Sequence, residues 1–547
     1  MQGLRVCGHR ILTGLRVRST RALPLSVAPS RLLRGLLGLL LSATALVVAG
    51  CSASSRPADD TLVIGFATSL TSTFFDPGQT PGTGIPLLLQ YAQHDALVRP
   101  VRGDASAPSL AERWSRSEDG LDYDFHLRDG LRFQDGSALT AEDVRFSFER
   151  YQGAGARLLK ERVARVEILS PLHVRFHLHR PWPDFMTFYG TTASGAGWVV
   201  PKQYIERVGD AGFRNAPIGA GPYRLVRFVP GVEFVFEASP YYWRTPPKIR
   251  HLVIKVIPDA ATRLAAVTRG EIDVAYGLSD ALAAKAQRTP GLRLETARIP
   301  VTNFIIFADH DDPSSPWSDP RVREAANLAI DRGMINEALY LGLGRQSSSI
   351  IPHAMPYYSA PSAYRYDPVR ARALLAEAGF ANGFDGGELH AENGDFSEMV
   401  QGYLGEVGIK VRLRLSERAS HLKRLGEKKL HGLVMTGSGA AGNAATRLEQ
   451  FAHSQGTLSY LHDPVLDQLI DAQALETDET KRVALLEKAQ QRLRQQHDFL
   501  PILEYAMVIV VGPRLAFDGV NAIPGSPYTT PYEDLYFHPQ PQAPHAP

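Results

Sequence analysis

The chain has 547 residues, with 59 Lys and Arg against 57 Asp and Glu for a formal charge of +2, and two cysteines. That length supports more than one hydrophobic core, the near-even charge gives no basis for a nucleic-acid partner, and two cysteines exclude a disulfide framework. The positive charge is local: Arg5, Arg10, Arg16, Arg18, Arg21, Arg31 and Arg34 fall within residues 1–50, which hold no Lys, Asp or Glu, and losing that segment would turn +2 into −5.

An apolar run from Leu36 to Val48 follows the arginines, broken only by Gly38, Ser42 and Thr44. It is too short to span a bilayer and has the proportions of a signal-peptide core. Val48-Ala49-Gly50-Cys51 resembles the lipobox of bacterial lipoproteins, which implies that 1–50 is a signal peptide, that Cys51 carries the lipid, and that the chain is exported and held to a bilayer. Cys7 would leave with the leader, so the mature domain must be held by its core alone. Residues 51–60 are small, polar and proline-containing, a tether.

Thr61–Ala67 is rich in strand formers and reads as the first strand. Asp122–Leu127 and His173–Leu178 alternate by side-chain type, as half-buried strands do. Thr140-Ala-Glu-Asp143 has the spacing of a capping box. His251–Ile257, a helix over 259–268 and Ile272–Tyr276 read as a strand–helix–strand crossover with parallel strands. Asp-Pro pairs at Asp319, Asp367 and Asp463 open three helices, the carboxylate capping while the proline presets φ. The tail after Tyr536 is rich in Pro and Gln and reads as loose. The class is mixed α/β with more than one sheet.

Two patterns invite chemistry. Gly437-Ser-Gly-Ala-Ala-Gly442 is a literal GxGxxG between a strand-like Leu433–Thr436 and a helix-like Ala444–Gln450, with a further strand expected at Leu458–Leu461 before Asp463. A dinucleotide fold would need consecutive parallel units around it, and an exported chain has little access to NAD, so no cofactor is assigned. His173, His177 and His179 share strand parity, but same-face neighbours are spaced too widely for one ion, and a solvated face is the better reading. Asp309-His-Asp-Asp312 lacks the spacing of a calcium loop. No Walker A, HExxH or GxSxG pattern occurs, and neither catalytic nor metal-ligating residues are assigned.

Many blocks stand in order along the chain: Leu110-Ala-Glu-Arg-Trp114, Ser117-Glu-Asp-Gly-Leu121, Phe125-His-Leu-Arg-Asp-Gly130, Phe133-Gln-Asp-Gly136, Leu139-Thr-Ala-Glu-Asp-Val144 and Phe146-Ser-Phe-Glu-Arg150. Further on come Gly219-Ala-Gly-Pro-Tyr223, Tyr242-Trp243, Ile257-Pro-Asp-Ala-Ala-Thr-Arg263, Gly270-Glu-Ile-Asp273, Val322-Arg-Glu-Ala325, Ala329-Ile-Asp-Arg332, Tyr366-Asp-Pro368 and Leu374-Leu-Ala-Glu-Ala-Gly379. Together they resemble the family 5 extracellular solute-binding proteins, the peptide- and nickel-type receptors of ABC importers, and the likeness runs over roughly residues 60–535.

The resemblance implies a two-lobed fold of the type II periplasmic-binding-protein kind with an additional inserted domain. The first lobe would take 61–98, 217–302 and 505–547, the small domain 99–216 and the second lobe 303–504. A peptide or peptide-like small solute would bind between the lobes of a monomer and pass to permease subunits driven by a cytosolic ATPase. The alternatives are an exported hydrolase and a nickel or metal-chelate receptor on the same fold.

Candidate ligand residues are Ser69, Thr71, Phe74 and Phe75 after the first strand, where the family's cleft begins and where core packing is the alternative for the two phenylalanines; Tyr189 and Trp198 among glycine-spaced aromatics of either the cleft or the small domain's core; Asn303 where the second lobe begins; and Gly437, Ser438, Gly439, Asn443 and Arg447, where a tight strand–helix turn is the alternative. Peptide-binding members commonly carry an aspartate near this last group to pair with the ligand ammonium. No acid lies between Glu427 and Glu449 here, so a neutral, N-blocked or carboxylate-bearing solute is expected.

Overall fold

The structure, a computed structural model, describes residues 58–68, 71–80, 84–101, 104–191, 193–278, 280–438, 442–516, 519–521 and 528–539. The leader, Cys51, Ser69 and Gly439 lie outside the described residues. After β1 (Thr61–Phe66) come the paired β2 (Val98–Val101) and β3 (Asp104–Pro108). A separate antiparallel sheet follows, built from β4 (Ala111–Arg116), β5 (Asp122–Leu127), β6 (Val163–Ser170) and β7 (His173–Leu178) in the order β4-β5-β7-β6. The remaining strands join β1 in one large sheet: β8 (Tyr223–Val229), β9 (Glu233–Ala238), β10 (His251–Val256), β11 (Val274–Leu278), β12 (Arg293–Phe307), β13 (Arg345–Gln346), β14 (Phe384–Ala391), β15 (Ile409–Leu415), β16 (Leu433–Gly437) and β17 (Phe499–Val511). Their order is β15-β14-β16-β12-β17-β11-β1-β10-β9-β8, with β13 beside β17.

The crossover at 251–276 forms with one refinement. β10 and β11 do not touch; each pairs in parallel with β1, Ile64 opposing Ile254 on one side and Val274 on the other. The helix Ala260–Thr268 makes the connection, capped by Asp259 through Thr262 N. Asp319, Asp367 and Asp463 cap their helices as the Asp-Pro pairs predict. Asp143 takes the Thr140 amide at 2.9 Å, the acidic half of the predicted box.

Side-chain alternation gives this large sheet two packed faces in each half. In the half around β1, Leu62, Ile64 and Phe66 enter one core while Val63 enters another. In the half around β16, Phe304 and Ile306 of β12 enter one core while Ile305 and Phe307 enter the opposite one. The four-stranded sheet has its own core around Phe125, Phe176 and Phe185.

Among the described strands, only β12 and β17 run through both halves of the large sheet, pairing with each other along the way. Their ladder breaks in the middle: Arg298 pairs with Ala506 and Thr302 with Glu504, so residues 299–301 face Tyr505 alone. Pro300 has no amide to donate there. A break in the only strands shared by two packed halves is where the molecule can bend.

The small domain is clamped to the first half by polar contacts. Arg150 makes a bidentate pair with Asp76, both contacts 2.7 Å, Gln93 donates to Gln134 at 2.7 Å, and buried Arg99 pairs with Glu533 near the C-terminus.

One expectation is corrected. Leu458–Leu461 is not a strand; Leu461 is buried against the helices of the second half, which accounts for its apolar character. Asp463, the would-be ribose acid, caps the helix Pro464–Leu475 and holds Arg492. The histidines of β7 lie on its outward face, where His173 contacts Asp124 at 2.7 Å and His177 contacts both Asp122 and Glu167 at 2.7 Å.

Candidate functional site

The stretch from β16 into the helix Ala444–Phe451 lies at the edge of the second half, next to the break in β12. Gly437 pairs with Asn303. A Cβ at Gly437 would come within 3.0 Å of Val301 Cγ1, so bare backbone lets β16 close on β12 here. Ser438 is buried; its amide donates to Thr302 O at 3.0 Å and its hydroxyl to Ile350 O at 2.6 Å. Gly442 has φ +139°, and a Cβ there would strike Thr446 Oγ1 at 2.3 Å. That hydroxyl is needed in place, because it accepts the Asn443 amide at 3.1 Å while Asn443 Oδ1 accepts the Thr446 amide at 3.1 Å. This reciprocal cap satisfies amides of the first turn.

Arg447 sits in the next turn, buried, with NH1 donating to Gln450 Oε1 at 3.4 Å. Burial alone pushes its guanidinium down to about 10. Asn303 is buried, and its Nδ2 lacks a hydrogen bond of normal geometry, as does the hydroxyl of Thr302 beside it. Tyr505, the residue facing the ladder break, has its phenol pushed up by burial and pulled down by Asn303. Thr302, Asn303 and Tyr505 meet at the junction of the two halves.

The other candidates are placed elsewhere. Thr71 is exposed at the start of the short helix Ser72–Phe75, bonded to Thr73 at 2.5 Å. Phe74 is half-buried against the first core. Phe75 is fully buried, edge-on to Phe228, Phe234 and Phe236. Tyr189 lies in the small domain's core against Phe176 and Phe185, and Trp198 packs on Tyr91. For Phe75, Tyr189 and Trp198 packing is the observed role, which large apolar residues fill by default.

One residue that the sequence gave no reason to single out stands at this site. Asp184, from the small domain, is 2% exposed and takes Asn443 Nδ2 at 2.5 Å and Arg482 at 2.6 Å. Its partners lie 259 and 298 residues away, beyond any local pattern.

A large sheet packed on both faces in two halves, with the pairing of its two shared strands broken between them, and an additional domain with its own sheet have the architecture of a two-lobed binding protein. A family profile described as bacterial extracellular solute-binding proteins, family 5, middle region, matches residues 106–459. The chain belongs to this family and is a solute-binding receptor. It is 26% identical over 526 residues to heme-binding protein A of Haemophilus influenzae, covering 87% of this chain and 95% of that one. With the dipeptide-binding protein of Escherichia coli it shares 29% over 449 residues, 74% of this chain and 82% of the other. The solved structure of HbpA2 from Haemophilus parasuis superposes with a TM-score of 0.75 at 25% identity, covering 87% of this chain and all of that one. No helix among the described residues is long and apolar enough to cross a membrane.

Proposed function

We propose that this chain is the lipid-tethered receptor of an ABC importer, capturing a peptide or peptide-like solute between its lobes without chemical change and presenting it, as a monomer, to the permease. The observation that carries this reading is the pair of long strands, β12 and β17, which are the described strands shared by two packed halves and which lose their pairing at 299–301. The separate cores support lobes at 61–98, 217–302 and 505–547 and at 303–504, with the small domain at 99–216. Closure about the break buries solute against both lobes.

The relatives' names span heme and dipeptide, so the solute class rests on the junction itself. Buried Asn303 and the Tyr505 phenol form an uncharged polar pair at the break, which suits a polar solute without a cation of its own. The carboxylate that reaches Asn443 is already engaged by Arg482, and Arg447 adds a cation nearby in sequence. A ligand ammonium closed into this place would be a buried charge without its counter-ion, worth several kcal/mol of lost affinity. The solute is therefore neutral, N-blocked or carboxylate-bearing. Calorimetric titration with matched free and N-acetylated dipeptides tests this: acetylated forms should bind more tightly. Tight binding of free peptides that acetylation abolishes would mean an acid elsewhere supplies the anchor. Mass spectrometry of the solute that copurifies identifies the cargo, and its recovery unchanged after incubation separates receptor from hydrolase.

A further inference from the structure

The helix Phe185–Tyr189 is the place where the small domain meets the second lobe. Asp184 at its start uses both carboxylate oxygens on that lobe: Oδ1 accepts from Asn443 and Oδ2 from Arg482 of the helix Glu479–Gln496. Thr187, one turn on, also receives Asn443 Nδ2 at 3.4 Å. Arg482 is in turn held by Gln473 Oε1 at 3.1 Å and lies over the Tyr357 ring, 5.0 Å from its centroid. Every named partner of Asp184 other than its own helix thus belongs to the second lobe, whereas the domain's bonds to the first lobe run through Arg150, Gln134 and Arg99.

We propose that Asp184 is the positioning residue that fixes the register in which the small domain closes on the second lobe, through Asn443 at the start of one of its helices and Arg482 in another. The inference rests on the two-lobed receptor reading above.

The physics favours a register device over a strong clasp. Asp184 and Arg482 have side chains 3% and 1% exposed. Burying such a pair forfeits about as much hydration as the pair recovers, so the net pull is small, while a mismatched closure would strand a charge and be heavily penalised. An open lobe returns both ions to water. Closure is therefore poised near balance and selective for one alignment.

Asn443 ties this contact to the helix it opens. Its Oδ1 caps the helix Ala444–Phe451 and its Nδ2 binds Asp184, so one side chain is shared by the helix start and the closure contact. A displacement of the helix start displaces the donor Asp184 needs, so the register of closure and the position of this helix are set together.

Hydrogen exchange of the full chain, with no solute added, tests this. In Asp184→Ala, amides of Ala444–Phe451 and of the first turns of Glu479–Gln496 should exchange about twofold faster, the protection that a closure poised near balance supplies, while β1, β10 and β11 stay as in the wild type. Asp184→Asn, which keeps an acceptor but loses the charge, should fall between and serves if the alanine variant folds poorly. Asp210→Ala, which removes a solvent-exposed partner of Arg150, should leave both segments unchanged. Faster exchange confined to the small domain's own sheet, or none, would overturn the proposal by reducing Asp184 to a local structural residue. Because no solute is present, this outcome is independent of which peptides bind.

Discussion

Glu449 lies on the same helix as Arg447 and faces the small domain. Burial pushes its carboxyl up to about 7, Asp184 adds to the rise, and Arg162, Arg482 and a hydrogen bond from Gln473 pull against it. A carboxyl raised in the folded state holds a proton there that the unfolded chain has released. The folded state is thus unpenalised below the ordinary carboxylate value of 4.5, and stability is lost as pH rises from there through about 7. His94 and His497, both lowered to about 4 mainly by burial, act in the opposite sense, favouring the folded state as pH rises from about 4 toward 6.5. The measurement is therefore a difference: urea midpoints of the wild type minus those of Glu449→Gln should fall steadily between pH 4.5 and 7.5. A flat difference would show that Glu449 is ionised throughout and that Arg162 and Arg482 dominate its surroundings.

Among the secondary elements, the sequence was most readable where one residue type has one physical job. Asp before Pro marked three helix starts because the carboxylate and the fixed φ serve nothing else so well. The alternation in Asp122–Leu127 marked β5 because one of its faces is dry. Leu458–Leu461 failed for the converse reason: its apolar residues pack against helices, and no strand edge is offered to them. The end of β16 at Gly437 and the helix start at Asn443 were legible, but Asp184 and Arg482 were not, since a buried pair 298 residues apart leaves no periodic trace. Phe75, Tyr189 and Trp198 attracted notice as aromatics and turned out to be packed. Strand β12 carries a testable contrast. Phe304 is fully buried, edge-on to Phe451 and Phe499, and Phe304→Ala should cost about 3–5 kcal/mol in denaturant unfolding. Val226 on the outer strand β8 is 56% exposed, and Val226→Ala should change stability by about 0.5 kcal/mol or less. Similar losses at both positions would mean that β12 does not carry the core assigned to it.

At the scale of the whole molecule the question is how a receptor meets its permease. Residues 51–60 span at most about 35 Å when extended, and β1 begins at Thr61. If Cys51 carries a lipid, the body stays within that distance of the bilayer, and each encounter with the permease draws on a local concentration set by the tether and not by the compartment's volume. The charge of −5 left after leader removal adds no attraction to an anionic membrane surface, so the lipid must supply the retention. Cys51→Ser should therefore shift the protein from the membrane to the soluble fraction or leave it as unprocessed precursor. In the soluble case solute binding should be unchanged, because the junction around Asn303 and Asn443 lies in a separately packed body. Import at low receptor expression should drop and should recover when expression is raised. Membrane fractionation unchanged by the substitution would refute the lipid anchor, and import that stays low at high expression would assign the tether a part in docking beyond concentration.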